Sequence, residues 1–166
     1  MANAKHKTFI MNDLLTKNFA LSEFTRSETA TRLGLDNTPP QDAVSNLQCL
    51  CQEVLEPLRE YAQRPIVITS GYRCRRLNEA VGGATHSQHC LGEAADIWLP
   101  DAETGHDWFM FIADYLHFDQ LIWEFSGPTA WIHVSYRRRF DDNRRQMLAR
   151  ECRRKADLPS SPLSTL

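Results

Sequence analysis

The chain has 166 residues, 42% hydrophobic and 24% charged, with a net charge of −2. That is enough for one domain with its own core, and the composition excludes a disordered or fibrous protein. There is no run of about 18 apolar residues, which argues against a membrane span.

The first residues lack a long apolar segment and a small-residue cleavage site, so they do not read as a signal peptide. The product is expected to be cytoplasmic as synthesised. The cysteines are Cys49, Cys51, Cys74, Cys90 and Cys152, an odd number with no Cys-x-x-Cys pair. This argues for free thiols and against a disulfide framework or a four-cysteine zinc site.

Residues 1–17 carry no clear pattern and are expected to form an N-terminal arm. Residues 18–155 read as a single domain, and 156–166 as a flexible C-terminal tail. A first helix is expected from Ser22, as N-cap, to about Leu33, with Gly34 as its stop. Val44, Leu47, Cys51, Val54, Leu58 and Tyr61 then step by three and four, which predicts one long amphipathic helix. Pro57 lies inside this pattern and predicts a kink or break. Ile66-Val67-Ile68-Thr69 is a β-branched strand ending in Ser70-Gly71-Tyr72-Arg73, and residues 73–80 can form a short helix.

A strand is expected over 95–99, stopped by Pro100, then a helix over 106–117. Leu121–Phe125 and Trp131–Tyr136 flank Ser126-Gly127-Pro128-Thr129 and predict an antiparallel hairpin. Residues 137–155 hold nine Lys/Arg against three acids, so this segment is at +6 while the remainder is at −8. Residues 140–154 are expected to form a basic, solvated helix. They show no recognised nucleic-acid motif and no interleaved aromatics, so nucleic-acid binding is not expected. The fold class is therefore α+β, with helices packed on a small antiparallel sheet. Nothing in the pattern specifies an oligomeric state.

The chemistry gathers at Ser87-Gln88-His89-Cys90-Leu91-Gly92-Glu93-Ala94-Ala95-Asp96 and at Trp131-Ile132-His133. On one helix, His89 and Asp96 would stand two turns apart, too far to share an ion. They converge if a loop hands over to a strand. With His133 they make two histidines and a carboxylate, leaving a fourth position for water, a set suited to catalytic zinc.

Ser87-x-His89-x-x-Gly92-x-Ala94-x-Asp96, followed by Trp131-Ile132-His133, resembles the signature of the M15 zinc peptidases. Thr69-Ser70-Gly71-Tyr72-Arg73 resembles a second motif of that family, and the resemblance covers residues 18–137. The family includes D-alanyl-D-alanine carboxypeptidases, dipeptidases and phage endolysins that cut peptidoglycan peptides. The resemblance implies a Zn(2+) peptidase acting on peptidoglycan stem peptides, either a D,D-carboxypeptidase or an endopeptidase. It also implies a phage- or prophage-encoded product released to the cell wall.

His89, Asp96 and His133 are the expected ligands, and Arg73 the cation beside the substrate. Ser87 is a candidate substrate-binding residue and His86 a rim residue. Many relatives carry Asp or Glu three residues before the final histidine; here that position is Ala130. The hairpin register predicted by the Ser126–Thr129 turn pairs Glu124 with Trp131 and Ile122 with His133. Glu124 then shares a face with His133 and becomes the candidate general base. Asp119 is the fallback. Ala130 also leaves open a non-catalytic module that kept the metal site and binds cell-wall peptide or a partner.

Overall fold

The computed structural model describes residues 13–152. The helices α1 (Leu21–Thr25), α2 (Glu28–Leu33), α3 (Gln41–Leu50), α4 (Glu56–Ala62), α5 (Arg75–Ala80) and α6 (Ala102–Tyr115) accompany five strands. These are β1 (Ile68–Ser70), β2 (Ala94–Trp98), β3 (Gln120–Ser126), β4 (Thr129–Ser135) and β5 (Gln146–Glu151). They form one sheet in the order β1-β2-β4-β3-β5, so the fold is α+β.

One face of the sheet is the floor of the core. Ala95, Ile97, Leu121, Ile132 and Val134 are buried there with Leu47, Leu50, Leu55, Leu58 and Ile112 from the helices. Phe19, Phe24 and Phe118 close its ends. Burying a side chain of this size contributes about 1.5–3 kcal/mol, so this layer fixes where the opposite face of the sheet points. The arm begins to be held before residue 18: Leu15 is buried in the core, and Leu14 bridges Ala20.

The expected first helix is two helices. Ser22 lies inside α1 and does not cap it, while the Ser27 hydroxyl accepts from the Ala30 N–H and starts α2. Arg26 and Ser27 are extended, which breaks the run. Gly34 does end α2, in the left-handed conformation with φ of 61°. The long amphipathic helix continues through α3 and α4 with a π-helical turn, Cys51–Leu55, between them. Pro57 follows that turn immediately. Its ring lacks an N–H and would crowd the carbonyl four residues earlier, and the wider turn relieves both problems. The stripe is buried as expected from Leu47 to Leu58, but Tyr61 is exposed and stacks on Phe111 at 3.9 Å.

Helix α6 starts four residues before the expected position, because Asp101 accepts from the Thr104 N–H at 2.7 Å and caps it. Gly105 sits inside it, where a Cβ would come within 2.6 Å of Leu99. The hairpin has the expected register, with Glu124 opposite Trp131 and Ile122 opposite His133.

The largest departure is the basic segment. Residues 146–151 are strand β5, parallel to β3, so the sheet is mixed rather than antiparallel. The chain is drawn into place at Asp119. The Arg144 guanidinium donates to both Asp119 oxygens at 2.8 and 2.6 Å, and the Gln146 N–H donates to the Asp119 carbonyl. The Arg145 guanidinium caps the carbonyls of Ala113 and Leu116 at the end of α6. Local helix propensity loses to these non-local bonds.

Candidate metal centre

The three expected ligands reach one point from three different elements. His89 lies on a 3₁₀ turn, Gln88–Leu91, that ends at Gly92 with φ of 72°. Gly92 is required twice over. It takes the left-handed conformation, and a Cβ there would lie 2.3 Å from the Ala43 carbonyl oxygen. The turn then delivers the chain to β2, where Asp96 pairs directly with His133 of β4. Both point away from the core, because Ala95, Ile97, Ile132 and Val134 occupy the core face.

His89 Nε2 lies 3.2 Å from Asp96 Oδ1 and 3.2 Å from His133 Nδ1, and His133 Nδ1 lies 2.9 Å from Asp96 Oδ1. Tetrahedral zinc with ligand bonds of about 2.0–2.1 Å sets its ligand atoms about 3.3 Å apart. The triangle therefore has the edge length of a zinc coordination face, and all three residues are buried.

The protonation states suit a cation as well. His89 Nδ1 lies 2.7 Å from the Gly71 carbonyl, which can only accept, so Nδ1 carries the proton. Burial pushes the His89 pKa down, which keeps the ring neutral and leaves a bare Nε2 lone pair facing the Asp96 carboxylate. Burial opposes the Asp96 charge, but the groups around it outweigh burial and hold its pKa well below the ordinary value. Two imidazoles and a carboxylate whose ligand atoms converge within one coordination distance match a divalent metal. The Gly71 carbonyl is the outer partner that fixes the His89 tautomer. Gly71 cannot be larger, because a Cβ would lie 2.6 Å from Phe24.

Arg73 takes the other oxygen of the aspartate: its Nη2 donates to Asp96 Oδ2 at 2.6 Å and its Nε to Ser70 Oγ at 2.8 Å. It lines the cavity over the cluster, but its observed partner is a ligand residue, a contact the sequence did not predict. The cavity measures about 850 Å³. Ser87 and the exposed His86 line it on the loop side, and Glu124, Trp131, Leu148 and Arg150 on the other. A second cavity of about 530 Å³ lies across β1 and reaches Arg73 but none of the three ligand residues.

Glu124 is buried on the same face as His133 and lines the cavity. Trp131 Nε1 donates to its Oε2 at 2.7 Å, and Arg150 pairs with its Oε1. The fallback base, Asp119, is fully buried and bound by Arg144 and Arg137, and it does not line the cavity. Cys90 stays a free thiol, as do the other four cysteines. Arg150, Leu148 and the Trp131 indole were not expected at the site. The only sequence signal for the first two was the basic segment, whose helical spacing concealed them.

A family model described as Peptidase M15 matches residues 17–135, more than half of the chain. The chain belongs to the M15 peptidase family. M15 peptidases are metallopeptidases, and among the described residues the three buried ones are the group that could hold the metal. No curated protein matches the chain. The matched segment ends with β4, so the β5 wall of this M15 peptidase's cavity lies beyond it.

Proposed function

We propose that the chain is a zinc-dependent peptidase that hydrolyses peptidoglycan stem peptides, as a D,D-carboxypeptidase or an endopeptidase. The observation that carries this reading is the 2.9–3.2 Å triangle of His89, Asp96 and His133 at a cavity that also holds Glu124. His89 Nε2, Asp96 Oδ1 and His133 Nδ1 would hold the ion. Zinc bound there supplies a Lewis acid for a peptide carbonyl and makes water acidic enough to attack near neutral pH.

The chain's own residues do the rest. Glu124 accepts the proton of the attacking water at a carboxylate oxygen and returns it to the leaving amine. Arg73 holds Asp96 by Oδ2, which leaves Oδ1 for the metal, and it places positive charge beside the cavity. Ser87 offers a hydroxyl to the substrate backbone. The peptide lies across the cavity between the His86 loop and β5. In this reading the enzyme reaches the wall by release from the cytoplasm in which it is made.

Digestion of purified peptidoglycan fragments, with mass analysis of the products, tests the proposal. Peptide release that stops with a chelator and returns with zinc is the expected result, and the product masses identify the bond. A second reading is a module that binds wall peptide without cutting it. It is favoured by Ala130 and by the partners already on both Glu124 oxygens. Zinc-loaded protein that binds the fragments but releases nothing would establish it.

A further inference from the structure

We propose that Arg150 is a positioning residue that holds Glu124 aimed across the cavity, so that β5 completes the catalytic apparatus. This rests on Glu124 being the base.

The geometry is a row across the sheet. Trp131 on β4, Glu124 on β3 and Arg150 on β5 stand at paired positions, with Glu124 in the middle. Side chains directly opposite in adjacent strands stand about 4.5–5.5 Å apart at Cβ, so each neighbour reaches the carboxylate without distorting the backbone. Trp131 Nε1–H takes Oε2, and an Arg150 guanidinium nitrogen takes Oε1. Glu124 is only 5% exposed, whereas the Arg150 side chain is 57% exposed and reaches in from the rim. A carboxylate this buried is costly without a counter-charge, and a neutral indole cannot supply one. One row along, Ile122 lies between His133 and Leu148, so no other cation stands beside Glu124 on its own or the adjoining strands.

The other arginines of the cavity are engaged elsewhere. Arg73 is on Asp96, and Arg144 and Arg137 are on Asp119. Burial pushes the Cys152 thiol up, so it brings no charge. Glu151 alternates to the opposite side of β5 from Arg150. Two donors on separate strands fix the rotation of the Glu124 carboxylate, while a lone pair on each oxygen remains for the attacking water. Arg150 lies outside the matched segment, so family membership does not by itself provide this clamp.

The test compares Arg150→Met, Arg150→Lys and Glu124→Gln in the full chain. In Arg150→Met, kcat is expected to fall about tenfold or more with KM and zinc content little changed. Arg150→Lys should recover most of the rate. Without relying on turnover, the Trp131 indole N–H resonance of the metal-free protein should shift and exchange faster in Arg150→Met. An unchanged kcat and an unmoved indole resonance in a folded Arg150→Met overturn the proposal. So does a fully active Glu124→Gln, which would remove the base reading with it. An inactive Glu124→Gln beside a normal Arg150→Met would overturn only the clamp.

Discussion

The two sides of the sheet's open face treat buried carboxylates in opposite ways. On the β2–β4 side, Asp96 faces two imidazole nitrogens at 2.9–3.2 Å, and its one full counter-charge, Arg73, takes the far oxygen. On the β3–β5 side, Glu124 and Asp119 are each met by arginines on the oxygens that face them. The first arrangement brings donor atoms together at the spacing of a coordination face, so it suits a cation. The second is balanced by its arginines, so it is not a set of metal ligands. Burial of an acid is common to both sides. What separates a metal site from a structural clamp is whether the nearest partners can donate.

The largest test of this contrast removes a ligand. His89→Ala and His133→Ala should each lose most of the bound zinc and all measurable peptidase activity, read by metal analysis and fragment digestion. Stoichiometric zinc in both variants would move the metal elsewhere. Next comes Glu124→Gln, which keeps shape and zinc but removes the base. Its activity should fall by about 10² or more, the scale of general-base loss. Near-normal hydrolysis would return Glu124 to the structural side of the comparison.

Arg73 stands on the border between the two sides and sharpens it. As the sequence suggests, it can act on the substrate, but its 2.6 Å contact is with Asp96. Arg73→Ala should therefore weaken metal binding about 10–100-fold, as outer partners of ligands commonly do. A zinc-competition titration reads this directly. A fall in kcat with metal affinity intact would make the substrate role the whole of its function.

The two sides also differed in how much could be read from the sequence. The metal side was legible because its geometry is local or set by short connections. The spacing from His89 through Gly92 to Asp96 sits on one turn and one strand, and a two-residue Gly127-Pro128 loop fixes the register of His133. The same loop placed Glu124 opposite Trp131. Arg150 was not legible, because nothing within Gln146–Glu151 favours a strand: all six residues are exposed, and Gln, Met, Leu, Ala, Arg and Glu are good helix formers. Its pairing with β3 is enforced by Asp119, 25 residues before Arg144, a contact that no periodicity reports. The π turn was half legible. Pro57 marks the place, but only the packing of both flanking helices on one core shows that the chain widens its turn rather than breaking.

The smallest expected effect tests the clamp that built the β3–β5 side. Burial raises the Asp119 pKa, but the hydrogen bonds of Arg144 and the charges of Arg137 and Arg144 outweigh it, so the pKa lies below its ordinary 3.8. A carboxyl group with a depressed folded-state pKa stabilises the fold above its unfolded pKa. That contribution is lost as pH falls through the lower folded value. Asp119→Asn should therefore cost stability near neutral pH, and the deficit should shrink below about pH 4, where the unaltered carboxyl also begins to lose its charge. Because the Arg144 and Arg137 side chains are 49% and 38% exposed, solvent screens much of the pairing, and the expected loss is about 1 kcal/mol. Thermal unfolding of both proteins across pH measures it. Arg144→Gln in the same series should give a smaller deficit with the same pH dependence, since it removes one of the two pairs that Asp119→Asn removes. A deficit independent of pH would mean that Asp119 holds β5 by the shape of its hydrogen bonds alone, without its charge.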